Sequence, residues 1–313
     1  MTRAFLFPGQ GSQKIGMGRE LADAFASARD VFQEVDDALS QKLSKLMWEG
    51  PEDALVLTEN AQPAIMAASL AVVRVLEKEM GLDVARHARL VAGHSLGEYT
   101  ALCAAGAFTL ADTARLLKTR GRAMQSAVPA GEGGMTALIG AEFEQAEEVA
   151  KEAAAGGGVC VVANDNAPGQ IVISGTLDAL ARAADIAKAK GIKRAMPLAV
   201  SAPFHCPLMR PAADAMQKAL AEVTIRPLAV PVLANVTAAE ARDPEAVRGL
   251  LVEQVTGRVR WRESMAALRG LGVETTVEFG DKVLTGMVKR IDPSLEMIAL
   301  EAPADLEAFA KTL

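Results

Sequence analysis

Residues 93–99 read GHSLGEY and place one serine, Ser95, between two glycines in a G-x-S-x-G pattern. The residues before it are apolar enough to end a strand, and those from Leu96 onward begin a helical pattern. This strand–turn–helix context is typical of a nucleophile elbow, a sharp turn that lifts a serine hydroxyl above the end of a sheet. Glycines suit both flanks because a side chain there would collide with the crossing strand and helix. We therefore predict a serine nucleophile at a helix N-terminus, where free N–H groups favour a developing oxyanion.

A serine nucleophile needs a base, and the chain contains 3 histidines. His94 adjoins Ser95, and neighbouring residues in such a turn point in different directions. His87 lies in a basic stretch and is predicted to be a solvated surface residue. His205 remains, in the sequence APFHCP, which two prolines stiffen. No histidine follows position 205, whereas an ordinary α/β-hydrolase keeps its histidine late in the chain, so a simple esterase is disfavoured.

Arg120 is the second informative side chain. At about 100° per residue, the helix predicted over 110–128 places Arg120 on the apolar side between Leu116 and Met124, and Lys118 on the polar side. An inward guanidinium is costly unless an anion meets it. Two interpretations remain open, an internal salt bridge to Asp or Glu and a bidentate clamp for the carboxylate of a substrate.

The elements that position these residues alternate between strands and helices. A strand at 4–7 precedes the glycine loop PGQGSQ, helical patterns run through 20–47 and 61–80, and the strand of the elbow follows at 88–97. After residue 201 come strands at 231–235 and 274–279 and helices at 245–256, at 260–269 and from Leu284. This alternation predicts an α/β fold with a mostly parallel sheet and helices on both faces, as in α/β-hydrolases.

The segment 128–198 has a different order of elements. Strands at 135–140, 159–163, 170–174 and 193–198 and helices at 142–154 and 176–190 give the order β-α-β-β-α-β. That order is ferredoxin-like. We predict a small ferredoxin-like domain at 128–198, inserted into a large catalytic domain formed by 1–127 and 199–313.

Composition restricts the function. The 313 residues carry a net charge of −6 and only 4% aromatic residues, which disfavours nucleic acid and anionic membranes as partners. The 3 cysteines have unrelated spacings, so neither a zinc site nor a disulfide framework is predicted, as fits a reducing cytoplasm. The N-terminal sequence MTRAFLFPGQGSQ lacks the apolar run of a signal peptide or a membrane span.

Several motifs in fixed order resemble one family. They are FPGQGSQ at 7–13, GHSLGEY at 93–99, Arg120 with MQ at 124–125, ANDNAPGQ at 163–170, APFH at 202–205 and EQ with VRW at 253–261. Together they are similar to malonyl-CoA:acyl-carrier-protein transacylases, the free-standing enzymes of type II fatty acid synthesis. The resemblance spans nearly the whole chain, and the combination is far more specific than any one motif.

The resemblance implies roles for the side chains singled out above. Ser95 would take the malonyl group as an ester, and His205 would act as its base and as the acid for the departing thiolate. The family orients that histidine with a main-chain carbonyl, here that of Gln254, in place of a triad carboxylate. Arg120 would bind the free carboxylate of malonate, and His94 would belong to the pocket.

The resemblance also implies an oxyanion hole formed by the backbone N–H groups of Gln10 and Leu96. Gly9 and Gly11 would permit the close approach of the glycine loop. Phe204, one residue before the histidine, would crowd a 2-methyl branch on the substrate.

The implied reaction uses malonyl-CoA and phosphopantetheinylated acyl carrier protein and needs no metal and no redox cofactor. Because carrier proteins are typically acidic, local basic clusters are the candidate docking residues, namely Lys193 and Arg194 at the end of 188–194, and Lys289 with Arg290. We expect a monomer in the cytoplasm, with neither nucleic acid nor membrane as partner.

Three alternatives remain. A free-standing polyketide-type acyltransferase would share every motif. A serine esterase or thioesterase would share the elbow but would not explain Arg120. A non-catalytic carrier-protein-binding module would have no need of Ser95, His205 and Arg120 together.

Overall fold

The computed structural model describes residues 2–200 and 202–313. In these ranges the strands are β1 (Arg3–Phe7), β2 (Leu90–Gly93), β3 (Gly133–Ile139), β4 (Cys160–Ala167), β5 (Gln170–Thr176), β6 (Arg194–Pro197), β7 (Val232–Ala234), β8 (Ala239–Ala241), β9 (Thr275–Phe279) and β10 (Glu296–Leu300). The helices described are α1 (Arg19–Ala24), α2 (Ala26–Leu39), α3 (Leu43–Glu49), α4 (Glu52–Leu55), α5 (Thr58–Glu79), α6 (Val84–His87), α7 (Gly97–Ala104), α8 (Leu110–Ser126), α9 (Phe143–Ala155), α10 (Leu177–Ala189), α11 (Arg210–Ala221), α12 (Pro244–Thr256), α13 (Trp261–Ala267), α14 (Leu284–Ile291) and α15 (Pro303–Ala310), with a 3-10 turn at Pro207–Met209.

The larger sheet has six strands in the order β10-β9-β1-β2-β7-β8. Its neighbouring pairs are parallel except β7 with β8. Every residue of β1 and β2 is buried, because helices cover both faces of a parallel sheet and its inner strands carry nearly continuous apolar runs. The register pairs Phe7 with Gly93. The carboxyl ends of β1 and β2 therefore place the glycine loop beside the turn at Ser95.

Helices α5 and α8 pack against each other in the core of this part of the fold. Their backbones touch at Gly121, where a Cβ atom would lie 2.5 Å from Glu59 Cα and 2.6 Å from Thr58 O. Only glycine permits this approach. The contact brings Arg120, the residue before Gly121, against the buried polar side chain of Gln62.

The smaller sheet has four strands in the order β4-β5-β3-β6, and all its pairs are antiparallel. Helices α9 and α10 cover it with a separate apolar core that includes Leu138, Val149, Ile173 and Ala183. The α/β prediction with a β-α-β-β-α-β segment is confirmed. The division of the chain at 128 and 198 stays a prediction.

The edge of the smaller sheet is bound to a later part of the chain. Asp165 N donates to Val259 O, and Val259 N donates to Ala163 O, so the segment around Val259 extends the sheet beyond β4. Asp165 is fully buried and pairs with Arg262, with Nη2 of the arginine 2.8 Å from Oδ2. Strand β4 is thus joined to the segment before α13 by backbone bonds and by an ion pair.

Some elements differ from those predicted. The helical pattern over 20–47 is divided into three helices, because Phe25 is extended and Ser40 adopts a left-handed conformation at φ 48°. Strands β8 and β10 and helices α4, α6, α11 and α15 were not predicted. β8 is a short antiparallel addition with exposed residues, so it lacks the buried apolar run by which a strand is recognised.

Candidate active site

Ser95 occupies the turn between β2 and α7 with φ 54°, a left-handed value that is uncommon outside glycine. Both flanking glycines lie against backbone. A Cβ atom on Gly93 would lie 1.9 Å from Gly97 C, and one on Gly97 would lie 2.3 Å from Phe7 O. The strand and helix therefore cross too closely for any side chain at these positions, and the turn holds the serine at the end of the parallel sheet.

The imidazole of His205 lies beside the serine hydroxyl, with Nε2 2.7 Å from Ser95 Oγ. Nδ1 lies 2.9 Å from the main-chain oxygen of Gln254. Because a carbonyl oxygen only accepts, Nδ1 carries the proton and Nε2 accepts from the serine. Among the described residues no carboxylate hydrogen-bonds to this ring. Burial and then the charge of Arg120 lower the pKa of His205 to about 3, so its ring is neutral at neutral pH.

Arg120 is 1% exposed and lies next to the same hydroxyl, with Nη2 3.1 Å from Ser95 Oγ. Nη1 donates to Gln62 Oε1 and Nη2 to Gln254 Oε1, each at 2.8 Å. The ring of Tyr99 packs on the guanidinium, with Cζ 5.6 Å from the ring centroid. Burial lowers the pKa of Arg120. In the part of the chain that the structure describes, this guanidinium forms no ion pair, and its partners are amide and hydroxyl oxygens.

Lys118 was predicted on the polar side of α8, and this prediction was wrong. Its side chain is buried, with Nζ 2.8 Å from Asn60 Oδ1 and 3.1 Å from Glu59 Oε2. Helix α5 covers a wider face of α8 than the apolar periodicity indicates, and it supplies the polar partners that make burial of the ammonium tolerable.

The glycine loop after β1 lines the cavity that contains Ser95. A Cβ atom on Gly9 would lie 2.6 Å from the main-chain oxygen of His94, and Gly11 has φ 106°. Gln10 stands between them, and its side-chain Oε1 accepts from Thr58 Oγ1 at 2.9 Å. The loop is therefore held against the elbow, and a side-chain bond to α5 fixes Gln10.

The backbone amides around Ser95 have different partners. The amide of Ser95 donates to Asn235 Oδ1 at 2.8 Å, so its hydrogen is not free to bind a substrate oxygen. The amides of Gln10 and Leu96 donate to no protein group within the described ranges. Both residues line the cavity. That Gln10 and Leu96 form an oxyanion hole stays a prediction, and the lack of other partners is compatible with it.

Three buried polar residues beneath the turn, Glu98, Asn235 and Gln254, form what we call the elbow cluster. Glu98 is 1% exposed, and its Oε2 accepts from Gln254 Nε2 at 2.8 Å and from Asn235 N at 3.1 Å. Burial raises the pKa of Glu98 to about 7, against the hydrogen bonds from Gln254 and Asn235. Sequence reasoning missed Glu98 and Asn235. The available signals were the acidic residue inside GHSLGEY and the asparagine directly after an apolar strand.

A cavity of ≈ 520 Å³ opens at Ser95 between the two sheets. Phe204 lines it and is 7% exposed. His94 lines it as well, with Nε2 2.8 Å from Asn166 Oδ1 of β4, while burial lowers its pKa. His87 is partly exposed, and its Nδ1 lies 3.0 Å from the main-chain oxygen of Asp83, the residue before α6.

The four candidate docking residues are exposed. Lys289 and Arg290 lie on α14, whose Met287 lines the cavity. Lys193 and Arg194 lie at the start of β6, shortly before Leu198, which also lines the cavity. Each pair is therefore close in sequence to a residue that lines the cavity, and none of the four lines it.

A search of the described residues for three or more clustered His, Cys, Asp or Glu side chains that could hold a metal ion finds no such group. In those residues no helix is both long and apolar enough to span a membrane. The 3 cysteines are free thiols.

Comparisons with known proteins agree along the whole chain. The acyl transferase domain family matches residues 4–281. A malonyl CoA-acyl carrier protein transacylase of Bacillus subtilis (strain 168) is 44% identical over 311 residues, which cover 99% of this chain and 96% of that protein. The solved acyl-carrier-protein-S-malonyltransferase from Bartonella henselae is 53% identical, with a TM-score of 0.97 and coverage of 100% of this chain and 99% of that one. A solved complex of a type II PKS acyl-carrier protein with its malonyl-transacylase is 41% identical, with a TM-score of 0.95 and coverage of 100% of both chains.

Proposed function

Because the chain belongs to the acyl transferase domain family, and within it to the malonyl CoA-acyl carrier protein transacylases, we propose that it transfers malonyl groups from malonyl-CoA to acyl carrier protein. The acceptor is the phosphopantetheine thiol of the carrier, and the product supplies extender units for fatty acid synthesis. One observation carries the proposal for the site itself. A buried arginine with no carboxylate partner among the described residues lies 3.1 Å from a serine hydroxyl that is paired with a neutral histidine.

The first half-reaction acylates the serine. Malonyl-CoA enters with its free carboxylate on Arg120 and its thioester carbonyl above Ser95. Ser95 Oγ attacks the carbonyl carbon while its proton passes to His205 Nε2, 2.7 Å away. The oxyanion forms against the Gln10 and Leu96 amides, which are pre-oriented for it. The carbon–sulfur bond then breaks, and His205 returns the proton to the departing CoA thiolate.

The second half-reaction reverses these roles with another thiol. The phosphopantetheine thiol gives its proton to His205 Nε2, and its sulfur attacks the malonyl ester. The carbon–oxygen bond breaks, and the proton returns to Ser95 Oγ. Each thiol enters after the other has left, so the kinetics are ping-pong. No metal or redox cofactor takes part in this scheme.

Two features of the acyl group determine which substrate is accepted, namely its free carboxylate and the presence or absence of a methyl branch at carbon 2. The guanidinium of Arg120 offers a fork of N–H groups that matches a carboxylate, and acetyl-CoA has no group to use it. Phe204 narrows the cavity where a 2-methyl branch would lie. An esterase for neutral substrates would have no use for Arg120, a buried cation whose partners are neutral oxygens. A non-catalytic binding module would have no use for the pair of Ser95 and His205.

Lys289, Arg290, Lys193 and Arg194 are the proposed docking residues for acyl carrier protein. They are exposed and lie a few residues from Leu198 and Met287, which line the cavity, and opposite charges steer association. Replacing Lys289 and Arg290 with alanine should raise KM for carrier protein and leave KM for malonyl-CoA unchanged.

A matched control for the docking test replaces Lys42 and Lys45, which are exposed and do not line the cavity. An equal rise in KM for both substrates, or the same effect from the control pair, would contradict the assignment.

The free thiols of the 3 cysteines are compatible with a reducing compartment, so we place the enzyme in the cytoplasm. We propose that it acts as a monomer. Size-exclusion chromatography with light scattering at several concentrations tests the second statement.

Intact-protein mass spectrometry after brief incubation with malonyl-CoA tests the function. We expect a single malonyl adduct that is absent from Ser95→Ala and that disappears when phosphopantetheinylated carrier protein is added. Carriers from fatty acid and from polyketide synthesis are compared, because the solved complex contains a type II PKS carrier. An adduct that persists in Ser95→Ala, or rapid turnover of simple aryl esters without transfer, would contradict the proposal.

A further inference from the structure

The elbow cluster contains a carboxylate that the mechanism above does not use. Glu98 stands in the first turn of α7, three residues after the nucleophile, and its side chain is 1% exposed. It forms no ion pair within the residues that the structure describes. A buried carboxylate of this kind is costly, and its two hydrogen bonds, from Gln254 Nε2 and Asn235 N, are what compensate it.

The side chain of Gln254 lies between Glu98 and Arg120. Its Nε2 donates to Glu98 Oε2 at 2.8 Å and to Ser95 O at 2.9 Å, and its Oε1 accepts from Arg120 Nη2 at 2.8 Å. An arginine only donates, and the main-chain oxygen of Ser95 only accepts. The reversed amide would set an NH₂ group against the guanidinium and an oxygen against two acceptors. Glu98 Oε2 is therefore the side-chain acceptor that, with Ser95 O, holds the amide in the orientation that meets Nη2 of Arg120.

Asn235 connects Glu98 to the turn itself. Its backbone N donates to Glu98 Oε2 at 3.1 Å, its Oδ1 accepts from Ser95 N at 2.8 Å, and its Nδ2 donates to Gly93 O at 2.7 Å. One carboxylate oxygen thus touches both residues whose side chains bond to the backbone of Ser95. The same oxygen is connected to the guanidinium through the Gln254 amide, by two hydrogen bonds.

We propose that Glu98 is a positioning residue, whose Oε2 atom, acting through the side chains of Gln254 and Asn235, fixes Arg120 relative to Ser95. The inference rests on the proposed function, because the group that Arg120 would hold is the malonyl carboxylate. The role belongs to the acceptor oxygen, and the negative charge is not required for it. Gln254 then has two roles: its main-chain oxygen accepts from His205, and its side chain positions Arg120.

The readout is the ratio of acylation kcat/KM for malonyl-CoA to that for acetyl-CoA. A merely structural defect slows both substrates alike, whereas a displaced Arg120 slows only malonyl transfer. Glu98→Ala and Gln254→Leu each should lower this ratio at least about tenfold, as expected when a hydrogen bond to a charged group is lost. Gln254→Leu keeps the backbone carbonyl for His205, so the base is left in place.

Glu98→Gln is the conservative variant. It retains an acceptor oxygen, and we expect the ratio to stay within about threefold of the original value. Glu77→Ala serves as the control, because Glu77 is an exposed carboxylate on α5 whose ion-pair partner is Arg74 and which does not line the cavity. The ratio should not change in this control.

Three results would overturn the inference. An unchanged ratio in Gln254→Leu would do so, and that variant decides the matter if Glu98→Ala does not fold. Equal losses in Glu98→Gln and Glu98→Ala would show that charge is needed and would refute the role of the oxygen. A change in Glu77→Ala as large as in Glu98→Ala would show a nonspecific effect.

Arg120→Ala separates this inference from the proposed function. If Arg120→Ala leaves the ratio unchanged, the carboxylate clamp fails and the inference fails with it. If Arg120→Ala lowers the ratio and Gln254→Leu does not, the proposed function stands and only the positioning role is lost.

Discussion

Replacing Arg120 with alanine should make the enzyme treat malonyl and acetyl thioesters alike. The guanidinium has four N–H groups on its two terminal nitrogens. Gln62 and Gln254 each use one, and a third faces Ser95 Oγ at 3.1 Å. The fourth, on Nη1, has no partner among the described residues. Once the serine is engaged with the thioester, one N–H group on each terminal nitrogen is available to a carboxylate.

The magnitude follows from this count. A hydrogen bond to a charged group contributes about 1.5–3 kcal/mol, so two of them amount to about 3–6 kcal/mol. At about 1.4 kcal/mol per factor of ten, kcat/KM for malonyl-CoA should fall by roughly two to four powers of ten. Acetyl-CoA makes neither bond, so its rate should change little.

Single-turnover acylation followed by intact mass, with each thioester in turn, measures the two rates. Acetyl-CoA serves as the control for the space that the truncated side chain leaves. Arg120→Lys should give an intermediate loss, because an ammonium keeps the charge and lacks the planar fork. Equal slowing of both thioesters in Arg120→Ala would refute the clamp and would make the arginine a structural residue.

Three further predictions concern the base and the turn. His205→Ala should lower the acylation rate by about 10²–10⁴ without changing the thermal midpoint much, and an unchanged rate would exclude it as the base. Because the pKa of His205 is lowered to about 3, kcat/KM should stay level from about pH 7 down to about pH 5. A base with the ordinary histidine pKa would be protonated below about pH 6.5, and kcat/KM would then fall with pH. Gly93→Ala should lower the free energy of unfolding by about 3 kcal/mol in denaturant titrations, because its Cβ would meet backbone at 1.9 Å, while Gly249→Ala, which meets nothing within 4 Å, should not destabilise the protein.

The sequence was sufficient to predict the elements that carry the site. Ser95 was recognisable from its flanking glycines, and His205 from the elimination of the other two histidines. The inward position of Arg120 followed from helical periodicity alone. These signals are local or depend on spacing, and the α/β alternation then brings the residues to one edge of the sheet.

The elbow cluster could not be predicted in the same way. Glu98, Asn235 and Gln254 come from three distant segments, and their burial depends on how α7, β7 and α12 meet. A glutamate in the first turn of a helix is normally predicted to be exposed, where its charge complements the helix dipole. Lys118 was misplaced for the same reason, since its polar partners lie on α5 and periodicity within α8 carries no information about them.

The pairing of Val259 with β4 limits how this enzyme can be recombined with its relatives. A chimera that exchanges only the four-stranded sheet would take β4 away from the backbone that covers its edge, and an open edge is a template for aggregation. It would also separate Asp165 from Arg262, which would leave a fully buried carboxylate without its cation. The part that can be exchanged between relatives is therefore discontinuous in sequence. A chimera intended to alter acyl preference must take the four-stranded sheet and the segment from Val259 to Arg262 from the same parent.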